Sequence, residues 1–135
     1  MFSSSTTYRV RYADVDQMGY MYYGNYARLF EIGRVEALRS LGVRYKELEE
    51  NGVWMPVYEN YSKYLEPAKY DDLLTIKISL MEMPKVRIAF HAEIFNESNK
   101  LIHKGLTTLV FLNSETQKIT ICPEIITEKL KVFFE

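Results

Sequence analysis

A change of hydrophobic period constrains this chain more than any other feature of it. From Asn25 to Leu41 the residues Tyr26, Leu29, Phe30, Gly33, Ala37, Leu38 and Leu41 recur at steps of three and four. That spacing draws one stripe along an α-helix. Farther on, Leu74, Ile76, Ile78 and Leu80 alternate with Thr75, Lys77 and Ser79. Val86, Ile88, Phe90, Ala92 and Ile94 alternate in the same way with Lys85, Arg87, His91 and Glu93. Alternation with a period of two belongs to half-buried strands. Leu101–Leu112 is apolar on both faces, as a central strand is. The turns between these segments, Glu82–Pro84, Asn96–Lys100 and Asn113–Gln117, are short, so neighbouring strands run antiparallel. A helix with a single apolar stripe needs a sheet to cover it. The expected fold is therefore α+β, an antiparallel β-sheet wrapped around a long central α-helix.

The flanking signals fill in the order of elements. Thr6–Val15 reads as a strand with Tyr8, Val10 and Tyr12 on one face, and Asp14–Asn25, with its two glycines, as a loop. Asn25 is a suitable N-cap for the helix and Gly42 a suitable stop. A short helical turn is expected at Tyr45–Glu50, a strand at Val53–Leu65, and a last helix at Pro123–Phe133 with Pro123 in its first turn. No repeat or linker interrupts the chain, so residues 1–135 are expected to form one domain.

Composition narrows the function classes. The 135 residues are 47% hydrophobic and 26% charged, with a net charge of −1. A polyanion binder shows a basic excess, so nucleic acid is not an expected partner. The single cysteine, Cys122, excludes a disulfide framework, and with only His91 and His103 beside it no metal-ligand cluster is expected. No apolar run approaches the length of a membrane span, and the first residues lack the basic and apolar regions of a signal peptide, so a cytoplasmic protein is expected. The glycines never reach a phosphate-loop spacing. Eleven residues are tyrosine, and Tyr8, Tyr12, Tyr20, Tyr22, Tyr23 and Tyr26 all fall in the first quarter of the chain.

Only Tyr12–Arg34 combines the ingredients of a reaction centre. Asp14 and Asp16 stand at a strand end, a loop with Gly19 and Gly24 follows, and a helix begins. Free N–H groups at a helix N-terminus attract developing negative charge. A carboxylate held opposite them can attack a carbonyl, or activate water against it, while the N–H groups hold the oxyanion. The competing reading makes both aspartates ordinary turn formers. Glu31 and Arg34, three apart on the helix, can pair. Lys85 and Arg87 share a polar face beside the Pro84 turn and can hold phosphates, or simply face solvent.

The run Asp14-Val15-Asp16-Gln17-Met18-Gly19, followed by Tyr22-Tyr23-Gly24-Asn25-Tyr26 and Phe30-Glu31-x-x-Arg34, resembles the signature of the 4-hydroxybenzoyl-CoA thioesterase family of hotdog-fold acyl-CoA thioesterases. Glu66–Asp72, ahead of a strand, fits the same pattern. The resemblance implies hydrolysis of an acyl-CoA thioester to the free acid and CoA. It casts Asp16 as nucleophile or general base, and a backbone N–H at Tyr23 or Gly24 as the group that polarises the carbonyl. Gly19, Asn25 and Tyr26 would order the loop and helix start, with Asp14 in support. Many members carry histidine where this chain has Tyr23, which matters less if the contact is a backbone one. The resemblance further implies a homo-oligomer, a dimer or a dimer of dimers, with sheets joined edge to edge and sites at the interface. No cofactor is implied beyond the coenzyme A of the substrate, whose phosphates Lys85 and Arg87 would hold. Two rivals remain. One is a non-catalytic acyl-CoA or acyl-carrier binding module. The other is a hotdog dehydratase or hydratase, which the placement of both histidines on strands away from the helix start disfavours.

Overall fold

A computed structural model describes Met1–Glu135. Strand β1 (Phe2–Arg9) leads through a 3-10 turn (Tyr12–Asp14) to helix α1 (Asn25–Ser40) and helix α2 (Tyr45–Glu50). Strands β2 (Val53–Trp54), β3 (Val57–Tyr64), β4 (Leu73–Leu80), β5 (Arg87–Phe95), β6 (Leu101–Asn113) and β7 (Ile119–Thr120) follow, and helix α3 (Glu124–Leu130) runs into a 3-10 turn at Lys131–Phe133. All pairings are antiparallel, in the order β1-β4-β5-β6, with β3 on the far side of β6 and the short β2 and β7 on its C-terminal end. The strand expected to be central, β6, is paired along both sides. No helix is long and apolar enough to cross a membrane.

The alternating pattern explains the core. Ile88, Phe90, Ala92 and Ile94 of β5 are buried while Arg87, Ala89 and His91 are exposed. Leu29, Phe30, Ala37 and Leu38 of α1 pack with Leu74, Ile76, Ile78 and Leu80 of β4 in one continuous cluster. α1 is the longest helix, at 16 residues, and lies against β1, β4 and β5.

Four expectations need correction. β1 starts earlier than Thr6 and stops at Arg9, because the Asp14 carboxylate accepts the Arg11 N–H and winds the chain into a 3-10 turn. Tyr12 thereby leaves the face of Tyr8 and stacks, exposed, on Tyr70 with ring centroids 4.1 Å apart. The expected Val53–Leu65 strand is two strands, broken at Met55-Pro56, where proline has no N–H for the ladder. The N-cap of α1 is Gly24 rather than Asn25, and Pro123 caps α3 from outside it.

Candidate functional site

The loop between β1 and α1 is held by one buried carboxylate. Asp14 is 4% exposed. Its Oδ2 accepts the Tyr8 hydroxyl at 2.6 Å and the Arg11 N–H at 2.8 Å, and its Oδ1 accepts Arg28 Nη2 at 2.5 Å. Burial alone would raise the pKa of this carboxyl. The tyrosine hydroxyl, the Arg11 N–H and the Arg28 guanidinium outweigh it and hold the group below its ordinary value. The Asp14 carbonyl accepts the Tyr22 N–H and the Asn25 side-chain amide, both at 2.8 Å. Asn25 therefore ties the helix start to the loop instead of capping it.

Asp16 stands at the head of a tight hairpin. Its N–H donates to the Tyr20 carbonyl at 2.8 Å, and its own carbonyl accepts the Gly19 N–H at 2.9 Å. Gly19 has φ +82°, a backbone state that favours glycine. One oxygen of the Asp16 carboxylate, Oδ1, accepts the Met18 N–H at 2.9 Å. The turn-forming reading is thus true of Asp16, but it uses only that oxygen. The half-buried carboxylate also faces an open groove of about 400 Å³, lined by Met18, Tyr20, Tyr23, Tyr26 and Tyr64 among others. Glu66 and Pro67 border the same groove. The segment carrying them is stitched to the hairpin by the Met21 N–H, which donates to Ala68, and by a bridge between Tyr20 and Lys69.

Tyr23 and Gly24 form the turn into α1. The N–H groups of Asn25 and Tyr26 are already used, by the Tyr22 and Tyr23 carbonyls. Those of Tyr23 and Gly24 make no hydrogen bond within the chain, and both residues are exposed. Asp16, Tyr23 and Tyr26 thus line one groove, Gly19 turns the hairpin that carries Asp16, and Gly24 and Asn25 begin the helix without lining the groove.

Lys85 and Arg87 lie elsewhere. Lys85 precedes β5, and Arg87 places its guanidinium over the Tyr58 ring at 4.5 Å. Arg87 pairs with Val110, seven positions along β6 from His103, and His103 packs on the groove residue Tyr26. At the rise of a strand those seven positions span roughly 23 Å. Arg87 also projects from the exposed face of the sheet. Within one chain these two cations do not join the groove. Glu31 and Arg34 form no ion pair either. Arg34 is buried with its Nε unpartnered, beside the Tyr45 hydroxyl, whose pKa burial raises and Arg34 moderates.

One residue read as remote from the helix start belongs next to it. His103 is fully buried and lies flat against Tyr26, the second residue of α1, at 3.8 Å between centroids and 3° between planes. Its Nε2 meets the Ser62 hydroxyl at 3.0 Å and its Nδ1 has no partner. Burial pushes its pKa down to about 4. Tyr64 packs edge-on against both rings. No local signal marks His103, because β6 is apolar on both faces; only the register Tyr64↔His103 brings it under the helix start. Arg28 was equally silent, since its link to Asp14 spans fourteen residues.

Comparison with known proteins gives the family. The model of the thioesterase-like superfamily matches residues 10–130. The acyl-CoA thioester hydrolase YbgC of Escherichia coli is 28% identical over 123 residues, 91% of this chain and 92% of its own length. YneP of Bacillus subtilis is 28% identical over 118 residues, 87% of this chain and 86% of its own. Among solved structures, the DHNA-CoA thioesterase of Staphylococcus aureus superposes with a TM-score of 0.86 at 30% identity, covering 99% of this chain and 85% of that one. With that model covering most of its length and relatives of the same kind along nearly all of it, this chain belongs to the thioesterase-like superfamily of hotdog acyl-CoA thioesterases.

Proposed function

We propose that the protein hydrolyses an acyl-CoA thioester to the free acid and CoA at the groove beside Asp16. The observation that carries the reading is that Asp16 and Tyr23 line one groove, and that the N–H groups of Tyr23 and of the adjoining Gly24 have no partner within the chain. The thioester carbonyl oxygen sits at those N–H groups, and Asp16 faces the carbonyl carbon. As general base, Asp16 takes a proton from water while the water oxygen bonds to that carbon. The C–S bond then breaks, and the proton passes to the departing sulfur. As nucleophile, Asp16 itself bonds to the carbon, CoA leaves, and water cleaves the resulting anhydride. In either route the negative charge on the carbonyl oxygen peaks in the transition state, where fixed N–H donors are most effective. Tyr23 contributes through its backbone, so the loss of an imidazole at this position leaves the step intact. The sheet wraps α1 so that the helix start opens onto this groove. No metal or cofactor enters the reaction, and CoA belongs to the substrate.

The chain acts as a single domain in a cytoplasmic homo-oligomer whose subunits join their sheets edge to edge, with the groove near the seam. Lys85 and Arg87 hold CoA phosphates only if they are supplied by a neighbouring subunit.

Thiol release from a panel of acyl-CoAs tests the assignment. Asp16→Asn is expected to lower kcat by about 10²–10⁴-fold, the range for a positioned acid or base, with affinity retained. Equal rates in both proteins would sink the role of Asp16. Binding without turnover in the wild type would favour a binding module instead.

A further inference from the structure

An acyl group entering the groove has two ways to go: inward, between α1 and the sheet, or outward along the surface. Four rings stand across the inward path. Tyr26 lies flat on His103, and Tyr64 meets both edge-on, at 5.6 Å and 4.8 Å between centroids. Phe30, one turn along α1 from Tyr26, meets His103 at 5.5 Å between centroids with its ring tilted by 46°. Phe30 in turn fills the space above Gly105 so closely that a Cβ there would lie 2.1 Å from its Cζ. Tyr26, Phe30 and His103 are all buried, and Ser62 pins the imidazole from β3. Interiors packed at this density have no slack into which a chain can slide.

We propose that the Phe30–His103–Tyr26–Tyr64 stack closes the space between α1 and the sheet, and so restricts the enzyme to acyl groups compact enough for the open groove. Phe30 is the specificity-determining residue, because it occupies the layer that a longer chain would need. Gly105 is what lets it lie there. The inference rests on the thioesterase reading for the identity of the ligand, and on packing alone for its size limit.

Calorimetric binding of S-alkyl-CoA thioethers, from ethyl to hexadecyl, separates the two. These compounds cannot be hydrolysed. While added methylenes enter the groove, affinity should rise about fourfold for each one. It should then level off after a few carbons in the wild type, and later in Phe30→Ala. Phe30→Leu, checked for folding by circular dichroism, is the second variant in case the alanine protein fails to fold. A wild-type affinity that keeps climbing to hexadecyl overturns the proposal. So does a folded Phe30 variant with the wild-type levelling point, or no binding of any thioether. If neither variant folds, the wild-type series alone decides. Levelling without thiol release from any acyl-CoA would leave the size limit standing and remove the catalytic reading.

Discussion

Asp14 shows how much one side chain can organise. Removing its carboxylate unties β1, the 3-10 turn and Arg28 of α1 together, so Asp14→Ala should cost about 1.5–3 kcal/mol in urea unfolding, the range for hydrogen bonds to a charged group. Asp14→Asn, which keeps part of the hydrogen bonding, should cost less. Because its folded pKa is depressed, the stabilisation from Asp14 is present above its unfolded value near 4 and fades as the pH falls through the folded one. Cys122 is the quiet counterpart. It is buried, with its thiol pushed up to about 12. A disulfide reagent should leave it untouched in the native protein and label it in urea. A thiol-release assay on the folded enzyme should therefore read CoA alone.

At the scale of elements, α1 and the strands were legible because burial imposes a period on sequence. The stripe from Tyr26 to Leu38 and the alternation in β4 and β5 state which face is covered. The site was legible in part, since Asp16, Tyr23 and Gly24 sit within one short stretch. His103, Tyr64 and Arg28 were not, because their roles arise from pairings between distant segments that leave no local trace. Lys85 and Arg87, read as holders of CoA phosphates, lie away from the groove because most of the length of β6 separates Arg87 from it. The contact between α1 and β6 also makes a test. Gly105→Ala should destabilise by about 1–3 kcal/mol through overpacking against Phe30. In a Phe30→Leu background the same change should cost less, a coupling that a double-mutant cycle of melting curves measures.

For the molecule as a whole, the buried imidazole sets an acid limit that composition would not suggest. His103 titrates near 4 when folded and near 6.5 when unfolded. Between those values the unfolded chain binds the extra proton, so stability falls as the pH drops from about 6.5 to about 4. The loss is on the order of 3 kcal/mol. His103→Phe should flatten that stretch of the profile in pH-dependent urea titrations; an unchanged slope would show that other groups set it.

The outermost strand carries a different consequence. β3 is paired only with β6, so its other side offers a row of unused backbone donors and acceptors, with Val57, Tyr58 and Tyr61 exposed along it. In a lone subunit such a rim is a template for uncontrolled growth of the sheet from molecule to molecule. The chain blunts it with Pro56 at one end, the irregularity between Val57 and Glu59, and the charge of Lys63. Replacing Lys63 with an apolar residue should make the protein associate at lower concentration than the wild type, which light scattering measures.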